Sequence, residues 1–489
     1  MKSKILSKVI MTALLLVSTA TNGLTQSVKK EEQHRTANVS QAEDSATLNT
    51  PNQRETMGVV LSSKPPQPVQ PLAQTPSSYS RFIDPVNGLT ADDLVRYSLA
   101  HNGELAAARQ MIAEAKGRFR QAGLRPNPMV ESSGTHAVTT SDNMAMIGAE
   151  LPLELGGRRK ARVEVAQREI ELREAEVADF ERKLAAEVRI KYADAISAAR
   201  NLKFTEDLLT LTRDSHRLVQ ARVERGKSAP LEQNVVFVEL SRVDAMRINF
   251  EGKTEVALFE LKKTIGMQPG EPLQLRGEFD TNRQPAPQSD AIAHALASRP
   301  DLLAARAAET LAQAQIEQAR VEGKIDASIF ANYQRQNMGF GVRGFTDAGT
   351  LAPVQGIFHY ATFGVRLSLP VRNKNQGNIE AAVAAAEAAR NKREFNEIVV
   401  RNEVAASYAR FERAQAALAV YRDNVRDQAQ RNLDVVQQTY TLGQKSLLDY
   451  LNEQRRFVDV EGGYTDALKE YLDSLIEIER AAASPVPTA

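Results

Sequence analysis

The side chains that most often carry chemistry are thinly placed in this chain. Its six histidines are scattered without a spacing that would hold a metal, and it has no cysteine, so thiolate ligands, disulfides and a lipid-bearing cysteine are excluded. No nucleophile paired with a base and no phosphate-cradling loop stands out, so no enzyme, cofactor or catalytic residue is expected. Lys and Arg number 62 against 61 Asp and Glu, interleaved along the chain, which gives a net charge of +1 and no reason to expect nucleic acid. What does recur is a pair of short turns, Arg225-Gly226-Lys227-Ser228 and Leu442-Gly443-Gln444-Lys445-Ser446, each between two long helical stretches. A glycine there supplies the positive φ that ends one helix and sends the chain back, worth about 1 kcal/mol over a residue with a β-carbon.

The elements that hold these turns are themselves repeated. Residues 361–369 alternate Ala361, Phe363, Val365, Leu367 and Leu369 with Thr362, Gly364, Arg366 and Ser368, the period of a strand with one apolar face. Pro370 closes it, and a proline-free helix of about 65 residues follows, its apolar positions spaced by three, four or seven. At 1.5 Å per residue such a helix is roughly 100 Å long and must bury its stripe on other long helices. Residues 144–151 repeat the strand, closed by Pro152-Leu153, and Gly156-Gly157 opens a second long helix with Val163, Ile170, Val177 and Leu184 spaced by seven. Two copies about 218 residues apart are the sign of an internal duplication. Upstream of the strands the offset is 197 (Ala-Ala-Arg at 107–109 and at 304–306), which predicts about 21 extra residues in the second hairpin loop, Asn337 to Phe358.

Composition and punctuation divide the chain further. Residues 1–23 resemble a secretory signal, with Lys2, Lys4 and Lys8 ahead of an apolar core and small residues. Residues 24–89, rich in Gln, Ser, Thr, Asn and Pro, are expected to form a disordered or extended arm. The first repeat covers 90–270, with strands at about 128–133 and 144–151 and a helical hairpin tipped at Gly226. A Pro- and Gly-punctuated connector spans 271–288; the second repeat covers 289–483, with strands at about 326–335 and 361–369 and a tip at Gly443; 484–489 is a tail. No apolar run past the leader reaches the roughly 20 residues of a membrane helix, so a membrane can be crossed only by strands. Four strands cannot close a barrel and open edges cannot sit in lipid, so several chains are required, and three would supply twelve strands. Met144 and Met146 read as residues of the barrel surface. The fold class is therefore an α+β membrane protein: duplicated long helical hairpins that pack on other long helices, plus four strands per chain in a shared β-barrel.

In this order of elements, repeated twice over residues 90–483, the chain resembles the TolC family of bacterial outer-membrane efflux proteins, with its OprM, CusC and CzcC branches. The resemblance implies a homotrimer whose twelve strands form a transmembrane β-barrel in outer-membrane lipid and whose helical hairpins form an α-barrel in the periplasm, and which passively conducts substrates delivered by an inner-membrane pump of the RND type through a periplasmic adaptor (membrane fusion) protein. It implies that the tips, Arg225, Gly226, Lys227 and Ser228 with Leu442, Gly443, Gln444 and Ser446, touch the adaptor. It also implies a periplasmic gate at Tyr440, Lys445, Asp449 and, in the first repeat, Glu232; three copies of Asp449 around a narrow pore would raise one another's pKa. Asn452 stands where the family places a further gate carboxylate. An exit duct for protein or peptide secretion has the same architecture, and a secreted structural coiled coil is the remaining alternative.

Overall fold

Alternating side chains do become strands, and two of them run much further than their apolar pattern. The computed structural model describes residues 77–138, 140, 142–277, 279 and 284–484; the leader, the arm up to residue 76 and the tail from 485 lie outside the described residues. Within these, strands β1 (Met129–His136), β2 (Asn143–Pro152), β3 (Asp326–Phe345) and β4 (Leu351–Ser368) form one antiparallel meander in that order. Register places Val130, Ala149, Ala331 and Phe363 in one row and Leu151, Ile329 and Val365 in another, which makes one face apolar and exposed across these rows. Tyr333, hydrogen-bonded to His359 Nδ1 at 2.6 Å, closes that face toward the β1–β2 turn, as interfacial aromatics do at the edge of a lipid band. The opposite face carries Glu131, Glu150, Asn332 and Thr362.

Two expectations change here. Met144 and Met146 pair with Thr135 and Ser133 on one side and with Gln336 and Gln334 on the other, so they belong to the polar face and not to the outer surface. The segment read as a long second loop is paired backbone: Asn337 lies opposite Ile357, Gly339 opposite Gln355 and Phe345 opposite Leu351, with a bulge between Gly339 and Arg343. Gly339, Gly341 and Gly344 remove the side-chain alternation without removing the backbone donors and acceptors, and Gly341 sits at φ 60° inside the bulge. The extra residues therefore lengthen β3 and β4, to 20 and 18 residues, beyond the ends of β1 and β2.

The helical body is built twice. Helices α1 (Ala91–His101) and α2 (Gly103–Ala122) precede the first strand pair, and α3 (Arg158–Glu224) and α4 (Pro230–Ile265) follow it. In the second repeat α5 (Gln288–Ser298) and α6 (Pro300–Glu322) precede the strands, and α7 (Gln376–Val420), α8 (Arg426–Thr441) and α9 (Leu447–Ala482) follow. The 67 residues of α3 make it about 100 Å long. Duplicated joints confirm the repeat at the level of single bonds. Asn102 and Arg299, which precede α2 and α6, donate to Thr264 O (2.9 Å) and Ala481 O (3.2 Å) at the ends of the returning helices. Gly157 and Asn375 open α3 and α7 in the left-handed region, at φ 85° and 65°; asparagine can stand there because it tolerates that region better than other residues with a β-carbon.

Apolar side chains from both repeats collect at the waist, Leu94, Val188, Leu202, Leu261 and Ile265 in one core and Val400, Val404, Leu475 and Ile478 in another. The last part of the expected arm is folded onto the first core. Phe82 and Ile83 are buried, Asp84 N donates to Leu275 O (2.9 Å) and Leu275 N to Phe82 O (3.0 Å), so residues 77–89 and the start of the connector form one strap. Burying those apolar side chains offsets the ordering that the surrounding polar composition opposes.

The second long helix is not continuous. A five-residue π turn, Tyr421–Val425, separates α7 from α8. Its cause is in the sequence: the buried positions Val404, Phe411 and Leu418 are spaced by seven, as are Leu433 and Tyr440, but Leu418 to Leu433 is fifteen, one residue more than two heptads. A π turn absorbs that extra residue and keeps both stripes facing their partners. Gly463 of α9 receives the Tyr421 ring, whose hydroxyl oxygen would lie 2.6 Å from any β-carbon there.

Candidate functional site

The two turns close by the same pair of backbone bonds. Gly226 N donates to Val223 O (2.9 Å) and Lys227 N to Arg222 O (2.8 Å); Gly443 N donates to Tyr440 O (2.9 Å) and Gln444 N to Thr439 O (2.9 Å). This is the Schellman arrangement, and it places the glycines at φ 68° and 77°. A β-carbon at either position would have no neighbour within 4 Å, so only the backbone angle asks for glycine within the chain. The returning helices start differently. Pro230 opens α4, whereas Ser446 caps α9 in a reciprocal box: Asp449 N donates to Ser446 Oγ (3.2 Å), and Ser446 N and Oγ donate to Asp449 Oδ2 (3.1 and 2.8 Å).

Those donors give Asp449 a local role. Its carboxyl is held below the usual carboxylate range, first by the Ser446 hydroxyl and backbone, with Lys445 adding to the effect. The single chain thus pulls this pKa down, opposite to the rise expected from three facing copies. Lys445 is exposed, as are Arg225, Gly226, Lys227, Leu442, Gly443, Gln444 and Ser446, while Ser228 and Glu232 are half-buried.

Tyr440 does not stand free at the turn. It is 7% exposed, stacked on Tyr450 (centroids 5.8 Å apart, planes at 7°) among Val219, Val236, Leu447 and Leu451, at the seam between the two hairpins. Arg222, from the last turn of α3, lies 5.6 Å from the Tyr440 ring centre and donates to Thr441 O at 2.9 Å. Burial raises the Tyr440 hydroxyl pKa; the Glu232 carboxylate adds to that rise and the Arg222 guanidinium opposes it. The structure thus sets Arg222 over the Tyr440 ring, with Glu232 near enough to act on the Tyr440 hydroxyl, and leaves Lys445 and Asp449 together on the second tip. Sequence reasoning missed Arg222, which has no motif around it and is found only by its position one turn before Gly226. It also missed the exposed leucines Leu231 and Leu448, which flank Glu232 and Asp449 at the same place in each repeat.

Above the tips the seam carries polar contacts beside the buried apolar cluster of Leu208, Leu209 and Val243. Gln454 Nε2 donates to Thr212 Oγ1 (3.0 Å), Tyr450 and Ser215 hydroxyls lie 3.4 Å apart, and Arg455 bridges to the buried Glu239 at 3.1 Å. Bonds of this kind can be exchanged for water at little net cost, so they oppose separation of the hairpins less than buried apolar contacts do. Among the described residues no group of three or more His, Asp or Glu is placed to hold a metal ion, and no helix is long and apolar enough to cross a membrane.

A channel architecture of duplicated helical hairpins on a strand meander with one lipid-type face defines the class of protein. The family model described as outer membrane efflux protein matches residues 94–267 and 291–484, and the chain belongs to that family. It is similar to the cobalt-zinc-cadmium resistance protein CzcC of Cupriavidus metallidurans, 22% identical over 397 residues, 80% of this chain and 89% of that protein. It is also similar to the nickel and cobalt resistance protein CnrC of the same organism, 26% identical over 306 residues, covering 61% and 67%. Among solved structures the fold is shared with CusC (TM-score 0.66, 17% identity, 86% of this chain and 99% of that one). It is shared too with VceC of Vibrio cholerae (0.62, 18%, 81% and 96%). The chain is therefore a passive outer-membrane efflux channel that extends into the periplasm, of a family whose members are trimers working with adaptor proteins and inner-membrane pumps.

Proposed function

We propose that three copies of this chain close into one exit duct of a tripartite efflux system, and that its cargo is divalent transition-metal cations. The observation that carries the assembly is the open sheet: β1 and β4 each leave one edge unpaired, beside a face whose Val130 and Leu151 rows are apolar. Such edges are excluded from lipid unless paired, and joining β4 of one copy to β1 of the next removes them all in a ring. The helices support the same closure. The outer face of α4 exposes Leu231, Val235, Val238 and Val256, and that of α7 and α8 exposes Ile398, Val420 and Val435, at the two sides of the chain.

In this duct the exposed turns, Arg225 to Ser228 and Leu442 to Ser446, receive the hairpins of a periplasmic adaptor, whose pump is of the proton-driven RND type. Tyr440, Arg222, Glu232, Lys445 and Asp449 form the gate, which opens when the hairpins separate along their polar seam. The resistance proteins named above supply the cargo reading, and cations pass as solutes of the lumen without a resident site. The chain contains no cysteine, which makes the test direct. Val238→Cys and Val435→Cys lie about 12 and 9 Å along their helices from the tips, at 1.5 Å per residue, and are exposed on opposite edges. Oxidation of the double variant in membranes should give a ladder ending at three chains; monomer alone, or a ladder running past three, would sink the assembly. Cells whose only copy of the chain is blocked in assembly should lose tolerance to zinc and cobalt and keep tolerance to drugs; loss of drug tolerance alone would overturn the cargo reading.

A further inference from the structure

Charge is balanced along most of this chain and unbalanced at one level. Where the strands hand over to the helices, across residues 120–128, 153–162, 322–326 and 369–376, nine lysines and arginines face three acids, a surplus of six in a chain whose net charge is +1. Two of the three acids are already engaged, Asp326 by Arg158 (3.2 Å) and Glu154 by Arg162. Arg125, Lys160, Lys324, Arg372 and Lys374 are exposed, and none has a carboxylate within ion-pair distance among the described residues. They come from four separate segments that the fold gathers at one height: Gly323 abuts Lys374 O, Gly156 abuts the Lys324 side chain, and Arg159 Nε donates to Gly123 O.

The same band is apolar between its cations. Leu124, Leu153, Leu155, Ile325, Leu369 and Val371 are all exposed, Val371 at 76%. Leu153 and Leu369 follow directly on Leu151 and Leu367 of the lipid-type face, so the band continues that face one step toward the helices. Apolar side chains reaching into acyl chains, with long cationic ones beside them at the headgroup level, is how a protein surface meets a bilayer interface.

We propose that this band is a binding surface for the anionic phospholipid headgroups of the periplasmic leaflet, whose phosphodiesters seat among Arg125, Lys160, Lys324, Arg372 and Lys374. The inference rests on the sheet being embedded in the outer membrane. It makes the channel selective for phosphatidylglycerol-type lipid on its helical side, and it fixes the depth at which the sheet sits.

The full-length channel, purified in detergent and transferred to lipid nanodiscs of phosphatidylethanolamine with either phosphatidylglycerol or phosphatidylcholine, is analysed by native mass spectrometry for retained lipid. The wild type should keep phosphatidylglycerol in preference to phosphatidylcholine. The quadruple variant R125Q/K160Q/R372Q/K374Q should lose at least tenfold of that preference, since each cation at an anionic surface is worth about fivefold at low salt. K392Q/R401Q, exposed cations on α7 away from the band, should behave as wild type. Equal retention of both lipids by the wild type, or an unchanged preference in the quadruple variant, overturns the proposal. If the quadruple variant does not insert, the wild type decides alone: its preference must collapse in about 1 M salt, where the screening length is about 3 Å, and persistence there overturns the proposal as well. A wild type that enters no nanodisc of either composition would instead refute the membrane placement of the sheet.

Discussion

Gly443 offers a way to separate the turn from the docking surface proposed for it. Its φ of 77° costs a residue with a β-carbon about 1 kcal/mol, and because nothing lies within 4 Å of that position Gly443→Ala should cost about that and no more per chain. Gly443→Asn should cost only a few tenths of a kcal/mol, since asparagine tolerates the left-handed region and already does so in this chain at Asn375. Gly266→Ala is the contrast: it shares the positive φ, at 81°, but its β-carbon would lie 2.9 Å from His101 O, so the overpacking adds about 1–3 kcal/mol. Thermal or urea unfolding of the purified channel should show the smallest loss in Gly443→Asn, a larger one in Gly443→Ala and the largest in Gly266→Ala. Adaptor affinity, measured on the same preparations, should not follow that order. If the open space over Gly443 is where an adaptor backbone approaches, the larger side chain introduced by Gly443→Asn weakens binding by about tenfold, about 1.4 kcal/mol, while leaving the turn intact. Full adaptor affinity in Gly443→Asn, together with near-normal stability, would show that the space is not used and that glycine serves the turn alone.

Two further outcomes follow from the tip geometry. Arg222→Ala removes the bond to Thr441 O and the cation over Tyr440, worth about 1 kcal/mol for a partly exposed contact, so resting conductance in planar bilayers should rise about fivefold; an unchanged conductance would remove Arg222 from the gate. Ser446→Ala should destabilise the second tip by about 1 kcal/mol and abolish its acid sensitivity. The folded pKa of Asp449 is lowered, so the stabilisation from the intact box is present above the ordinary carboxylate pKa and is lost as pH falls through the lower folded value. Hydrogen-exchange protection at the start of α9, taken relative to the intrinsic amide rate at each pH, should accordingly fall below about pH 4 in the wild type and be low at every pH in Ser446→Ala; a wild-type α9 start whose protection does not respond to acid would contradict the box.

How much of this could be read in advance depended on whether a residue's job was local. The tip glycines, the strand-closing Pro152 and Pro370 and the heptads of α3 announce themselves because turn chemistry and periodicity act over a few residues. The length of β3 and β4 was hidden because Gly339, Gly341 and Gly344 carry no side chain with which to keep alternation, although their backbones pair. Phe82 and Ile83 were hidden in a polar arm because their partner, Leu275, is far away in sequence. The burial of Tyr440 and the part played by Arg222 are properties of the seam between hairpins, and no spacing within one hairpin encodes them. The π turn was different: the step from seven to eight is present in the residues, in the fifteen from Leu418 to Leu433, although no single unbroken stripe contains it.

That turn has a consequence for how the channel can change over generations. Because Tyr421–Val425 takes up one residue, the stripe that packs at the waist and the stripe that packs at the tip keep separate phases. A gain or loss of a residue on the tip side need not disturb Phe411 or Leu418, and the segment from the turn through Leu447 and back to Gly463 can be inherited, exchanged or grafted as a cassette. The first hairpin, an unbroken 67-residue α3, has no such joint. Change in length therefore has an easier route into the second tip than into the first.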